Sequence, residues 1–245
     1  VGQDKMNEKV KMTIKIILGL ILIQITRFFF TQVIFHFMER TLLTDTIVSA
    51  LLMMIMILAG VIFMKKEGIS LSMFPARNKA FYFIATIIFL ILLISTPSLT
   101  EDRSIFAVSS LIYSVVLIPV FEELSFRGFV WNKLEAKFSS GLTVYAITTL
   151  FFALWHLGYI DIILFRISLR ADSINNLPFI MLMKSVTGLC FGIVLGAVRY
   201  KTKNCFSTIL LHGIMNMFGR FRYFWLGQFS FLILRLLEII PHPFN

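Results

Sequence analysis

Three short polar groupings interrupt an otherwise apolar chain, and their residue types suit acid–base hydrolysis. The first is Val120-Phe-Glu122-Glu123-Leu-Ser-Phe-Arg127-Gly128, two adjacent carboxylates and an arginine. The second is Phe152-Ala-Leu-Trp-His156, and the third is His212-Gly-Ile-Met-Asn216. Ionised carboxylates within a bilayer are costly, so they persist where they are paired, hydrated or used. On a helix Glu122 and Glu123 lie about 100° apart, whereas Glu123 and Arg127 stand one turn apart on one face. Arg127 is therefore expected to hold Glu123 ionised through a bidentate contact, leaving Glu122 for chemistry. His212 and Asn216, again one turn apart, can face one cavity. Water attack on a peptide carbonyl needs a base for the water and donors for the developing oxyanion. Glu122 with His156 could supply the base, and His212 with Asn216 the donors. The set Glu122, His156 and His212 could instead bind zinc, which also generates hydroxide. The spacing is not the His-Glu-x-x-His helix of zinc proteases, so no cofactor is favoured and zinc stays as the alternative.

Each grouping also has a plainer reading. Glu-Glu-x-x-x-Arg is commonly an interfacial ion cluster, Phe-x-x-x-His an interfacial histidine, and His-x-x-x-Asn interhelical glue. Their joint occurrence, in order, on three separate apolar stretches favours a shared site. His36 and His242 lack polar neighbours at helical spacing and are left out of it.

The elements that must position these groups are membrane spans. Of 245 residues 58% are hydrophobic and 15% charged, with a mean hydropathy of +0.87. A soluble domain carries about 25% charged residues. The chain reads as an all-α polytopic membrane protein, one transmembrane domain over 6–245, with residues 1–5 ahead of Met6 set aside as a candidate expression remnant. Its net charge of +10 is scattered between apolar runs. That pattern suits lipid headgroups and topology signalling, and no nucleic-acid partner is expected. Cys190 and Cys205 lack a Cys-x-x-Cys spacing and read as buried free thiols. The first apolar run is too long for the core of a cleavable signal.

A spanning helix needs roughly 20 mainly apolar residues. Eight candidates fall at 13–37, 46–64, 80–96, 104–121, 141–157, 177–198, 205–219 and 223–240. Lys and Arg number 4, 4, 3 and 3 in the N-terminal arm and the second, fourth and sixth connections, against 1, 1, 2 and 2 in the others. The positive-inside rule then places both termini in the cytoplasm. Gly188, Gly192 and Gly196 line one helix face, which suits close packing in the bundle or, as the lesser reading, a homodimer. Snorkelling accounts for Lys184 and Arg235, and Arg235 with Glu238 forms an i,i+3 pair. Arg27, fourteen residues into the first span, is harder to dismiss.

The Ser139-Ser140-Gly141 turn is almost equidistant from Glu122 and His156. If both arms are helical, a hairpin returns His156 to the depth of Glu122, about 25 Å from the turn. His212, eight residues after Asn204, lies about 12 Å deep, so the hairpin must overhang the membrane by a similar length.

These motifs resemble those of the CPBP family, membrane proteases that group the CAAX prenyl endopeptidases with bacteriocin-processing Abi proteins. That family shows Glu-Glu-x-x-x-Arg, Phe-x-x-x-His and His-x-x-x-Asn or Asp on separate transmembrane helices. Here they fall at Glu122, Glu123 and Arg127, at Phe152 and His156, and at His212 and Asn216, within 104–220. The resemblance implies an eight-span intramembrane endopeptidase with a cavity open to the cytosol. By position it makes Glu122 and His156 the water activators, His212 and Asn216 the oxyanion site, and Arg127 the residue that orients the glutamates. The family has been described both as metalloproteases and as metal-free glutamate proteases, and the spacing here favours the second. A phenylalanine-, isoleucine- and lysine-rich composition suggests a bacterial member, and a membrane-associated peptide or protein is the expected substrate. Two other classes compete: a non-enzymatic immunity or scaffold protein that keeps the pocket, and a proton-coupled transporter, against which the missing internal repeat counts.

Overall fold

The computed structural model describes residues 2–69, 71–75, 79–100, 102–169 and 176–219, and no strand occurs among them. Seven helices run in order: α1 (Gly2–Phe37), α2 (Leu42–Lys66), α3 (Lys79–Leu99), α4 (Ile105–Glu135), α5 (Gly141–Leu169), α6 (Leu177–Thr202) and α7 (Cys205–Gly219). The first six are long and apolar enough to cross a membrane, and α7 is a shorter apolar helix. They coincide with the first seven expected spans. The eighth, at 223–240, lies outside the described residues, together with Arg235, Glu238 and His242. Residues 2–5, set aside above, are the first residues of α1.

Local chemistry sets the helix ends. Thr41 and Thr44 form a reciprocal cap at the start of α2, and Gly68, at φ +69°, turns the chain away after its end. The hydroxyls of Ser104 and Ser140 accept the N–H groups of Ala107 and Thr143 that begin α4 and α5. Pro178 opens α6, and Asn204 caps α7 by accepting the Ser207 N–H at 2.7 Å.

The expected spans at 104–121 and 141–157 are each the first part of a longer helix with a change of pitch. α4 widens to π geometry at Tyr113–Leu117 and at Leu124–Val130, while α5 tightens to a 3-10 turn at His156–Tyr159. A π turn strands backbone carbonyls, and here side chains from elsewhere receive them. In the second π turn the Arg127 carbonyl accepts from Arg199 Nε at 3.0 Å, and Gly128 O accepts from Asn132 Nδ2. In the first, Ile118 N–H bonds back to Tyr113 O and Pro119 has no N–H to give. The Ser114 carbonyl is thereby available to Asn216 Nδ2, which donates to it at 2.8 Å.

α5 and α6 are the closest pair, because the glycine stripe of α6 lies against α5. A Cβ on Gly188 would meet His156 Nδ1 at 2.6 Å, one on Gly192 would meet Thr149 Cγ2 at 3.0 Å, and one on Gly196 would run into Tyr145. All three glycines are buried inside the bundle, the close packing that their spacing suits. Around this pair a core gathers Tyr113, Phe121, Phe126, Phe152, Trp155 and Tyr159. Outward faces of α1, α2 and α3 carry exposed Leu22, Leu58, Ile87 and Ile94, as a lipid-facing surface requires.

Candidate active site

α4 supplies the first grouping. Glu123 sits one turn before Arg127, across the start of the second π turn, and both side chains are fully buried. Arg127 Nη1 donates to Glu123 Oε1 at 2.9 Å. The expected bidentate fork does not form: Nη2 turns to the Gly192 carbonyl at 3.3 Å, which also accepts from Thr149 Oγ1. Glu123 Oε1 also accepts from His212 Nδ1 at 2.9 Å, and the centroid of the Phe152 ring lies 4.3 Å from the guanidinium carbon. A cation over an aromatic face is held flat against it, so Phe152 fixes the plane in which Arg127 can donate.

Phe152 is therefore the hub of the second grouping. Its ring lies edge-on to His156 at 4.8 Å and to His212 at 6.1 Å between centroids. His156 Nδ1 stands 2.7 Å from the Phe152 carbonyl. A carbonyl only accepts, so Nδ1 carries the hydrogen and Nε2 presents a bare lone pair. Gly188 on α6 covers the other side of this imidazole.

α7 brings His212 against both glutamates. Its Nδ1 holds Glu123, and its Nε2 stands 3.9 Å from Glu122 Oε2. Glu122, 2% exposed, is not without a partner as the sequence suggested, because its Oε1 accepts the Tyr159 hydroxyl at 2.9 Å. The charge of Glu122 also acts on His156 and on Lys184. Glu122, Glu123, Arg127, Phe152, His156 and His212, from three separate helices, thus form one buried cluster. Asn216 contributes differently: one of its two amide N–H groups is committed to Ser114 O, which leaves a single donor for other use. Among the described residues no group of three or more His, Cys, Asp or Glu is gathered closely enough to hold a metal ion, the Glu122, His156 and His212 trio included. A separate apolar cavity of about 710 Å³ lies between α1, α2 and α4; Phe121 and Leu124 form part of its wall, but none of the six clustered residues does.

Several contributors escaped the sequence reading. Tyr159 is one 3-10 turn after His156, and side chains at i and i+3 of such a turn eclipse, so both face the cluster. Lys184 does not snorkel to a headgroup; its Nζ lies 6.0 Å above the Tyr159 ring. Arg27 pairs with Asp161 through both carboxylate oxygens, at 3.2 and 2.6 Å. Charge balance was the available signal here, since a lone acid in an apolar stretch needs a counter-ion. His36 is exposed, with its ring centroid 5.0 Å from that of Phe37.

Residues 104–218, which carry all three groupings, match the family model described as type II CAAX prenyl endopeptidase Rce1-like. No curated protein and no solved structure matches the chain.

Proposed function

We propose, from the match of residues 104–218 to the Rce1-like model of type II CAAX prenyl endopeptidases, that the chain is a member of that family and hydrolyses a peptide bond in a membrane-associated peptide or protein by glutamate-assisted attack of water. Glu122 Oε2 takes one proton from the water as its oxygen bonds to the carbonyl carbon, while His156 Nε2 accepts a hydrogen bond from the water's other O–H and orients it. The carbonyl oxygen becomes an oxyanion that a doubly protonated His212, with Nδ1–H on Glu123 and Nε2–H on the oxygen, and the uncommitted N–H of Asn216 stabilise. On collapse the C–N bond breaks, and the proton returns to the departing amine. Glu123 and Arg127 hold His212 in place from behind. In a buried, low-dielectric setting each of these contacts counts for more than it would in water.

One observation carries the reading: Glu122 Oε2 faces His212 Nε2 across 3.9 Å. That gap exceeds a hydrogen bond, and an oxygen atom about 2.8 Å from each would bridge it. A water there would donate a hydrogen to Glu122 Oε2, the contact that a base needs. We further propose eight spans with both termini in the cytoplasm, from the alternation of basic connections, and, from the family resemblance, a cavity that opens to the cytoplasmic face.

The test uses the full chain in detergent, a fluorogenic peptide with a prenylated cysteine and a CAAX-type tail, and the same peptide without the prenyl group. Cleavage of either is expected, with Glu122→Gln and His156→Ala abolishing it while thermal unfolding stays cooperative. Cleavage that survives Glu122→Gln would sink the assignment. Metal analysis of the active protein separates the mechanisms: stoichiometric zinc with loss of activity on chelation would replace glutamate chemistry by metal-bound hydroxide.

A further inference from the structure

A chain of donors ends on the outer oxygen of Glu122. Trp155 Nε1 donates to Tyr159 Oη at 3.0 Å, and Tyr159 Oη lies 2.9 Å from Glu122 Oε1. The indole can only donate and an ionised carboxylate can only accept. The hydroxyl hydrogen of Tyr159 is therefore directed at Glu122. With Oε1 taken on that side, Oε2 is the oxygen turned to His212.

Tyr159 is in turn held by a helix that lies outside the family match. Its 3-10 turn exposes backbone carbonyls, and α1 receives two of them. Gln24 Nε2 donates to Trp155 O at 3.2 Å, and Arg27 Nη2 donates to Gly158 O at 2.8 Å. Arg27 also grips Asp161 through both oxygens, donates from Nε to Gln24 Oε1 at 3.0 Å, and lies 5.3 Å above the Tyr159 ring. Gly158 has no room for a side chain, because a Cβ there would strike Gln24. Arg27 and Asp161 are 6% and 7% exposed, so this is a desolvated clamp rather than a surface ion pair.

We propose that Tyr159 is a positioning residue that sets the orientation of the Glu122 carboxylate, and that Gln24 and Arg27 of α1, with Asp161, hold the turn that carries it. This rests on the assignment of Glu122 as the base, and it makes the first helix a working part of the site.

The test has two arms on the detergent-purified full chain. In infrared difference spectra of ¹³C-glutamate-labelled protein, subtraction of Glu122→Gln isolates the Glu122 carboxylate band. That band is expected to shift in Tyr159→Phe and in Arg27→Lys, and to stay in place in Tyr145→Phe, which removes a hydroxyl bonded to Ile193 O instead. This arm needs no substrate, so it stands even if the cleavage reading fails. In the second arm, with the prenylated reporter peptide, Tyr159→Phe is expected to lower kcat on the order of 10²-fold with KM unchanged and unfolding still cooperative. Incorporation of 3-fluorotyrosine at 159, which keeps the O–H, restores kcat. An unmoved carboxylate band, or a Tyr159→Phe enzyme with the parent's kcat, would overturn the proposal.

Discussion

At the scale of single residues, the site buries charge by pairing it, with Glu123 Oε1 accepting from both Arg127 and His212. Glu123 and Arg127 are both 0% exposed. Removing one charge leaves the other stranded, and breaking such a buried pair costs about 3–5 kcal/mol. Glu123→Gln is expected to lower the unfolding free energy by that amount, read from denaturant titration in detergent. Lys203→Ala, which removes an exposed pair with Glu135, is expected to cost less than about 1 kcal/mol. Glycine gives a second residue-scale contrast. Gly188→Ala puts a methyl 2.6 Å from His156 Nδ1 and must push the imidazole off the Phe152 carbonyl. Cleavage of the reporter peptide should fall on the order of 10²-fold, as expected when a reacting group is misplaced by an ångström. Gly60, in the interior of α2, has no atom within 4 Å of its would-be Cβ. Gly60→Ala is expected to stabilise the fold by about 0.5–1 kcal/mol and leave cleavage alone.

At the scale of elements, the changes of pitch in α4 and α5 do the aiming. Pro119 withholds an N–H from the turn above it, and Asn216 of α7 supplies the missing donor. The proline and the asparagine are thus two halves of one device that sets the register of α7 on α4, and hence the reach of His212. The close approach of Gly213 to the Val115 carbonyl, 2.8 Å from a would-be Cβ, belongs to the same contact. Asn216→Ala is expected to cost about 0.5–1.5 kcal/mol, the loss of one part-buried hydrogen bond. In a Pro119→Ala background the backbone gains a donor of its own, so the same substitution should cost less. A double-mutant cycle measures this, and additive effects would refute the pairing.

At the scale of the whole molecule, four connections meet at one end of the bundle. Lys137 reaches Glu8 at 3.1 Å, Lys133 pairs with Glu67, Lys203 with Glu135, and Asn204 Nδ2 donates to Ser72 O at 2.7 Å. These join the N-terminal arm and the α2–α3, α4–α5 and α6–α7 connections, the four that are richest in lysine and arginine. Reporters placed ahead of Met6, in 136–140 and in 203–204 are expected to label from the cytoplasmic side, and one in 38–41 from the opposite side. Labelling of the 136–140 reporter from outside would reverse the orientation.

The sequence by itself determined the features that depend on local order along the chain. Hydropathy over some twenty residues marked seven of the described helices, the turn at 139–141 set equal hairpin arms, and i,i+4 spacing paired Glu123 with Arg127. Tertiary structure alone decided who faces whom across helices. The partnership of Glu122 with Tyr159, of Arg27 with Asp161, and of Asn216 with Ser114 depends on how each helix is rotated about its axis. Each π turn inserts a residue and swings the remainder of its helix by about 100°. Such a shift arises from packing and from stranded carbonyls in neighbouring helices, so no regular period read from one segment could reveal it.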